Sequence, residues 1–144
     1  MRKRETDAAG LEILHLSDMF RLLATVPIGR VGFMADDEVA VLPVRFLVDG
    51  QDVVFRTYAG SKLSRIEVGR YACFEVDSYD AATRTGWSVV ARGLVEKESE
   101  ASCARLDAPG IEFWGGASQE RLWFRIRPTT MTGRRIPSPD ADDD

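Results

Sequence analysis

Metal-binding side chains are scarce in this sequence, which has one histidine, His15, and two cysteines, Cys73 and Cys103, in 144 residues. Metal sites usually need several histidine, cysteine or carboxylate ligands at short spacings. A lone histidine is more often a surface or interface residue, so we reject His15 as a metal or haem ligand and predict no metal site. The two cysteines have no paired spacing, and we expect both to be free thiols.

Long apolar runs and an excess of positive charge are also missing. No stretch approaches the ~20 apolar residues of a membrane-spanning helix, and no apolar run follows the basic start MRKR, as a signal peptide requires. The net charge of −4 opposes a general nucleic-acid binder, whose affinity comes mostly from basic contacts with phosphates. We therefore predict a cytoplasmic protein without membrane or nucleic-acid partners. One phosphate-bearing ligand remains compatible with this charge.

The composition is that of an ordinary globular protein, with 44% hydrophobic and 29% charged residues. A chain of this length can close one hydrophobic core. Its first residues are polar, and its last residues, PSPDADDD, are acidic and interrupted by prolines. We predict a flexible N-terminus at 1–10, one folded domain at 11–136 and a disordered acidic tail at 137–144.

The folded part begins with a short helical pattern and continues with β-patterned runs. SDMFRLLATV predicts a helix with Ser17 as its N-cap. β-Branched and aromatic runs follow between Arg30 and Thr57, and the Asp49-Gly50 pair favours a tight hairpin between two of them. Pro43 lies inside one run and requires an edge or bulged position, because it has no N–H to donate.

The second half continues the pattern of short strands and short helices. SKLSRIEV (61–68) predicts about two helical turns, and ESEASCARL (98–106) predicts a second short helix. β-Patterned runs at 72–79 and 87–98 flank a polar turn, and one or two further strands follow residue 120. Strands linked in this way in a chain of this size usually form a closed or nearly closed barrel. The prediction is a mainly β protein of six or seven antiparallel strands with short helices.

The segment FRTYAGSKL concentrates phosphate-binding side chains at one strand-to-helix turn. Arg56 and Thr57 end the strand, Gly60 permits a tight turn, and Ser61 suits the cap of the following helix. Arg56 offers a bidentate fork, Lys62 a point charge, and a helix N-terminus would add unpaired N–H groups. The spacing is not that of a Walker A loop. The segment predicts a phosphomonoester site; the alternative is that Ser61 only caps and the charges are solvated.

Several motifs in fixed order resemble the pyridoxamine 5′-phosphate oxidase-like flavoproteins. They are LLATVPIGRVGF, VLPVRFLVDGQDVVFRTYAGSKL, FEVD and TRTGWSVVARG, and the resemblance extends over about residues 17–136. It implies a six-stranded antiparallel split β-barrel that binds FMN. It also implies a homodimer with the cofactor at the subunit interface.

The resemblance further implies which residues contact the cofactor. The end of one strand and the following turn would hold the phosphate, and the strand with Pro43 would supply backbone hydrogen bonds to the ring. Trp87 and Ser88 would reach the cofactor of the partner subunit. The implied positions are Pro43, Val44, Arg45, Phe46, Phe55, Arg56, Thr57, Ser61, Lys62, Leu63, Trp87 and Ser88. No catalytic side chain is predicted, because the flavin supplies the redox chemistry.

The implied activity is that of a flavin-dependent oxidoreductase acting on a small organic substrate. The alternatives are a reductase that uses a deazaflavin coenzyme, and a flavin-binding redox sensor or carrier without turnover. A small oligonucleotide-binding barrel is a further alternative, which the acidic charge opposes. The authentic oxidase is longer and has additional basic residues for the phosphate of its substrate. Those residues have no clear counterpart here, which opposes oxidation of vitamin B6.

Three other features carry separate predictions. In ERLWFRIR the alternation places Leu122, Phe124 and Ile126 in the core. We expect Arg121, Trp123, Arg125 and Arg127 on an outer barrel face where arginines lie over the tryptophan; the alternative is that this basic, aromatic face borders a cofactor or an anionic substrate in the dimer. Glu75 and Asp77 share one strand face, which we expect to be solvated rather than catalytic. The loop with Phe113 and Trp114 suits a lid, a dimer contact or ordinary packing.

Overall fold

Six long antiparallel strands and two short helices make up most of the computed structural model, which describes residues 4–112 and 119–137. The elements are β1 (Glu12–Ile13), α1 (Leu16–Leu23), β2 (Ile28–Ala35), β3 (Glu38–Asp49), β4 (Asp52–Tyr58), a 3-10 turn (Leu63–Arg65), β5 (Tyr71–Asp80), β6 (Thr85–Lys97), α2 (Glu100–Asp107) and β7 (Arg121–Ile136). The predicted last one or two strands are thus a single strand, β7.

The strands form one sheet that closes on itself. Their order is β1-β7-β4-β3-β2-β5-β6, and β6 pairs again with β7. This second pairing joins the six long strands into a ring, and the two residues of β1 add to the outside of β7 through Glu12 and Ile13. The predicted mainly β fold, a six-stranded antiparallel split barrel, is confirmed.

The barrel is split between β3 and β4. β3 pairs with β2 from Glu38 to Arg45, whereas its pairing with β4 begins only at Phe46. The first part of β3 therefore has one edge without a strand partner in the described sheet. Pro43 lies in this part, opposite Arg30 of β2, which confirms its predicted edge position. A proline is tolerated there because the edge requires no N–H donor.

The barrel interior is filled by inward-facing aromatic and aliphatic side chains. Phe46 and Phe74 pack edge to face with their ring centres 4.8 Å apart, and Phe55 stacks on Phe124. Burial of one such side chain contributes about 1.5–3 kcal/mol. Helix α1 adds Met19 and Leu23 to this core. The aromatic contacts connect β3 with β5 and β4 with β7, and so fix the two strands between which the barrel is split.

Two local predictions differ from the structure. Helix α1 begins at Leu16, and its N-cap is His15, not Ser17. The first helical hydrogen bond, from the N–H of Met19, already ends on the carbonyl of His15. The segment 61–68 forms one 3-10 turn instead of two helical turns, because the backbone becomes extended at Ile66.

The predicted tight hairpin and the predicted second short helix are both present. The β3–β4 hairpin closes between Asp49 and Asp52, with Gly50 at a φ of 65°. A positive φ favours glycine, which explains the signal in the sequence. The second helix, α2, is capped by Ser99, whose side chain accepts a hydrogen bond from the N–H of Ser102.

Helix α2 covers an outward-facing patch of the barrel. Trp123 of β7 is fully buried and packs with Val54 of β4 and Leu106 of α2. Residues Arg121, Trp123, Arg125 and Arg127 do lie on the outer face, as predicted, but Trp123 and Arg125 are buried there. The arginine that lies over Trp123 is Arg56 of β4, and not one from β7.

Arg125 is the centre of a buried ionic cluster on this outer face. Its guanidinium donates to the carboxylates of Asp49, Asp52 and Glu98. Asp49 also accepts a bidentate pair from Arg105 of α2, with N···O distances of 3.0 and 3.1 Å. The cluster therefore ties the β3–β4 hairpin, β7 and α2 together.

The remaining predictions concern the ends, the loop and the thiols. Residues 4–10 form a turn in which the carboxylate of Asp7 accepts from the N–H of Leu11 and from Arg134. Positions 138–144 of the tail, and the predicted aromatic loop at 113–114, lie outside the described residues. Cys73 and Cys103 are free and half-buried. None of the helices in the described ranges has the length and apolarity needed to cross a membrane.

Candidate functional site

A cleft of about 350 Å³ opens where β3 and β4 separate. One wall is the unpaired edge of β3, and the other is the end of β4 with the turn that follows it. Eight of the predicted cofactor positions line this cleft, together with Leu42 and Tyr58. The eight are Pro43, Val44, Arg45, Arg56, Thr57, Ser61, Lys62 and Leu63. The structure thus brings the two predicted segments together, although their contact with a flavin stays a prediction.

Two hydroxyl groups meet at the floor of the cleft. Thr57 Oγ1 and Ser61 Oγ are 2.6 Å apart, and either one can be the donor. Ser61 Oγ also accepts from the N–H of Ser64 at 3.1 Å, so it caps the turn as the sequence predicted. Gly60, with a φ of 90°, makes the tight approach of the two hydroxyls possible. The predicted helix N-terminus is not present, since only a three-residue 3-10 turn follows.

Arg56 lies at the end of β4 with its side chain on the outward face. It is opposite Trp123 in the β4–β7 register, and its guanidinium carbon is 5.9 Å from the centre of the tryptophan ring. Arg56 Nη1 donates to Asp107 Oδ1 over 2.9 Å. Only 13% of its side chain is exposed. Arg56 is therefore a fixed, partly buried cation in the wall of the cleft.

Lys62 supplies the second cation and is held less firmly. Its Nζ is 3.8 Å from Glu38 Oε2, and 48% of its side chain is exposed. Next to it, Arg65 pairs with Asp36 at 2.8 Å, so the turn is tied to the β2–β3 hairpin. Exposed ion pairs of this kind contribute at most about 1 kcal/mol. Lys62 can therefore exchange its carboxylate partner for another anion at small cost.

The opposite wall presents backbone rather than charged side chains. The guanidinium of Arg45 donates to the carbonyls of Phe46 at 2.7 Å and of Pro27 at 3.3 Å, so its charge is directed at main-chain oxygens. Phe46 and Phe55 are paired across β3 and β4, and both side chains are buried in the barrel. Of these predicted positions, Phe46 and Phe55 support the cleft from behind and do not line it.

Trp87 and Ser88 lie in a different cleft of about 250 Å³. They are opposite Arg135 and Arg134 in the β6–β7 register, and both arginines line the same cleft. The chain therefore does not bring this pair to the turn that follows β4 within one protomer. Their predicted approach from the partner subunit stays a prediction.

Sequence reasoning missed Asp107 and the arginine pair at 134 and 135. Asp107 Oδ1 accepts hydrogen bonds from Arg56 and, at 3.1 Å, from the indole Nε1 of Trp123. No local signal points to it, because 51 residues separate it from Arg56. The arginine pair is visible in the sequence as GRRI, but its position opposite Trp87 and Ser88 depends on the β6–β7 register, which the sequence does not show. Within the described ranges, no group of three or more histidine, cysteine or acidic residues could hold a metal.

The predicted carboxylate pair on β5 is joined by an arginine. Arg30 Nη1 is 3.1 Å from both Glu75 Oε1 and Asp77 Oδ2. Partial burial, and then the neighbouring carboxylate of Asp77, raise the pKa of Glu75 to about 7. The side chain of Asp77 is 44% exposed and that of Glu75 is 35% exposed, so the face is solvated at Asp77, as predicted, and only partly solvated at Glu75.

This raised pKa makes stability depend on pH. The folded state binds the Glu75 proton more tightly than the unfolded state, in which the glutamate has its ordinary pKa. The free energy of unfolding that Glu75 contributes therefore falls as pH rises from about 4.5 to about 7. The free energy of unfolding of Glu75→Gln, measured in urea, is therefore expected to increase relative to that of the wild type as pH rises from 5 to 8. Glu96→Gln, an exposed carboxylate on β6, is the control. A constant difference between Glu75→Gln and the wild type over this range would contradict the assignment.

Known proteins match both the sequence and the fold of this chain. The model of the pyridoxamine 5′-phosphate oxidase family matches residues 16–135. The uncharacterised protein Rv0080 of Mycobacterium tuberculosis is 30% identical over 141 residues, which are 93% of this chain and 92% of that protein.

Two solved structures extend the match. The FAD binding protein from Mycobacterium smegmatis is 32% identical, with a TM-score of 0.74 over 86% of this chain and 97% of that one. A Corynebacterium glutamicum structure is 29% identical, with a TM-score of 0.75 over 88% of this chain and 98% of the other. Sequence and architecture agree over nearly the whole described chain, and the protein therefore belongs to the pyridoxamine 5′-phosphate oxidase family.

Proposed function

We propose that the cleft between β3 and β4 binds FMN and that the protein is a flavin-dependent oxidoreductase acting on a small organic substrate. The observation that carries the proposal is the position of Arg56, Lys62 and the Thr57–Ser61 hydroxyl pair at one end of the cleft. Two cations and two hydroxyls form a donor set that suits a phosphate dianion. The unpaired backbone of β3 forms the adjoining wall, and it suits the polar edge of a flavin ring.

Each group has a defined part in binding. Arg56 and Lys62 would neutralise the phosphate. Within the hydroxyl pair one group donates to the other, and the remaining O–H can donate to a phosphate oxygen. The main chain of Pro43–Arg45 would orient the ring. When bound, the flavin supplies hydride and electron transfer, while the protein controls access and orientation.

The choice of FMN rests on the size and charge of the donor set, which fits one phosphate at the end of the cleft. FAD is the second candidate, because the Mycobacterium smegmatis relative is an FAD binding protein. A deazaflavin coenzyme carries the phosphate at a comparable place and is the remaining alternative. The basic residues of the described cleft number three, Arg45, Arg56 and Lys62, and Arg45 is directed at carbonyls.

We also propose that two copies of the chain associate, with the cofactor between them. The outward face of β3 and β5 exposes apolar side chains, among them Val39 at 78%, Val41 at 63% and Tyr71 at 64%. Exposed apolar groups on one face favour a protein contact. In such a dimer, Trp87 and Ser88 of one protomer would approach the flavin of its partner.

Titration of the purified protein with FMN, FAD, riboflavin and the deazaflavin coenzyme tests the binding proposal. Fluorescence quenching should give a dissociation constant for FMN at least about tenfold below that of riboflavin, since one charge-assisted phosphate contact is worth about 1.5–3 kcal/mol. Equal affinity for FMN and riboflavin would contradict the phosphate site. A dissociation constant for FAD below that for FMN would identify FAD as the cofactor instead of FMN.

Turnover needs a separate measurement. The FMN-loaded protein, reduced under anaerobic conditions, is expected to be reoxidised by at least one member of a panel of quinones, nitro compounds and enones. This reoxidation should be faster than in a solution of free reduced FMN. A protein that holds FMN but accelerates none of these reactions would be a flavin carrier or sensor instead of an oxidoreductase.

A further inference from the structure

We propose that Asp107, the last residue of α2, is a positioning residue that holds the Arg56 guanidinium in place for the phosphate. The inference rests on the proposed flavin function and adds to it a residue from outside the cleft. It concerns the outer face of the barrel, where α2 packs on β4 and β7.

One carboxylate oxygen of Asp107 accepts hydrogen bonds from both Arg56 and Trp123. Oδ1 accepts from Arg56 Nη1 at 2.9 Å and from Trp123 Nε1 at 3.1 Å, and Arg121 Nη1 is 4.0 Å away. The side chain of Asp107 is 27% exposed and that of Arg56 is 13% exposed. A charge-assisted hydrogen bond in such a partly buried place is stronger than one on the open surface.

The position of Asp107 is itself fixed by packing. Trp123 is fully buried, and Leu106, the residue before Asp107, packs against it. The indole N–H of Trp123 needs an acceptor when it is buried, and the carboxylate of Asp107 provides it. The end of α2 is thereby held to β7 beside Arg56, which is opposite Trp123 in the β4–β7 register.

Arg56 is consequently ordered before a ligand arrives. Its guanidinium donates to Asp107, and the guanidinium carbon lies 5.9 Å from the centre of the Trp123 ring. Ordering a flexible arginine side chain costs up to about 2 kcal/mol. In this protein that cost is met during folding, so binding of a phosphate does not have to supply it.

Lys62, the other cation of the cleft, has a more distant and more exposed partner than Arg56. Its partner Glu38 is 3.8 Å away and 73% exposed. The two cations of the cleft therefore differ in kind, since Arg56 is held by a partly buried partner and Lys62 by an exposed one. Of the two cleft cations, Asp107 therefore positions Arg56 and not Lys62.

The charge of Asp107 does not cancel the attraction of the site for an anion. Two guanidinium groups, those of Arg56 and Arg121, lie within 4.0 Å of its one carboxylate. The net charge of these three groups is therefore positive, and Lys62 adds a further positive charge on the cleft side. Orientation of Arg56 is therefore the larger effect of this carboxylate on phosphate binding.

The test is the variant Asp107→Asn, because the amide oxygen can still accept from Trp123 while the charge that holds Arg56 is lost. We expect the FMN affinity to fall about tenfold, the effect of one charge-assisted hydrogen bond, and the riboflavin affinity by less than about twofold. The ratio of the two dissociation constants is the readout, since a purely structural change would affect both ligands alike. Asp107→Ser serves for the same comparison if the asparagine variant does not fold.

Arg105→Gln is the matched control. Arg105 lies on the same helix and pairs with Asp49, away from the cleft, so its loss should leave the ratio unchanged. An unchanged or larger FMN preference in Asp107→Asn would overturn the inference alone, while the wild type still binds FMN. Failure of the wild type to bind any flavin would overturn both the proposed function and this inference.

Discussion

Replacement of Arg56 and Lys62 together by glutamine is expected to weaken FMN binding by about 100-fold or more, since each charge-assisted contact with the phosphate contributes about 1.5–3 kcal/mol. Riboflavin has the same ring but no phosphate, so its affinity should change by less than about threefold. Glutamine at position 56 can still donate to Asp107, which limits damage to the fold. Fluorescence quenching or calorimetric titration of the double variant with both ligands measures the difference.

Arg65→Gln is the control for this double variant. Arg65 belongs to the same turn, but it pairs with Asp36 and does not line the cleft. Its loss should leave the affinities for FMN and riboflavin unchanged. Equal losses for the two ligands in the double variant would show that the cleft residues act on stability or on the ring, and the phosphate assignment would be wrong.

Replacement of Arg125 by methionine is expected to lower the free energy of unfolding by about 3–5 kcal/mol, the usual cost of removing one partner from a buried ionic cluster. The guanidinium donates to Asp49, Asp52 and Glu98, and its side chain is 9% exposed. Without it, the three carboxylates would repel one another beneath α2. Urea unfolding at pH 7, followed by circular dichroism, measures the change.

The same cluster predicts how this loss depends on pH. Hydrogen bonds from Arg105 and Arg125 lower the pKa of Asp49 to about 2. A carboxylate whose pKa is lowered by folding stabilises the protein at pH values above its unfolded pKa, near 4. This stability is lost as pH falls from about 4 to about 2. The difference between wild type and Arg125→Met should therefore shrink below about pH 4.

Arg127→Gln separates the buried cluster from its exposed neighbours. Arg127 is 60% exposed and pairs with Glu96 at 3.0 Å and, more distantly at 3.7 Å, with Asp52 of the cluster, so its loss should cost less than about 1 kcal/mol. A comparably small loss in Arg125→Met would mean that the buried arginine contributes no more than a surface pair. That result would contradict the role given to the cluster in holding α2 and the β3–β4 hairpin.

Features that depend on nearby residues could be predicted from the sequence. Arg56, Thr57, Ser61 and Lys62 lie within one strand end and one turn, so the chain itself brings them together. The edge position of Pro43 followed from its missing N–H, and the split of the barrel lies beside it. The order of the motifs added the fold class, which local patterns alone left as an unspecified barrel.

Features that join distant parts of the chain could not be predicted. Asp107 reaches Arg56 across 51 residues of sequence, and Arg125 reaches Asp49 across 76. Strand alternation showed that Trp123 and Arg125 face outward, but not that α2 would bury them. Such contacts depend on how a helix packs on the barrel, for which the sequence carries no local pattern.

The most direct test of the proposed phosphate site is the crystal structure of the protein with FMN. We expect phosphate oxygens within hydrogen-bonding distance, about 3 Å, of the Arg56 guanidinium and of the Thr57 and Ser61 hydroxyls. The ring should lie along the unpaired edge of β3 at Pro43. An FMN phosphate bound instead beside Arg134, in the cleft with Trp87, would contradict the account.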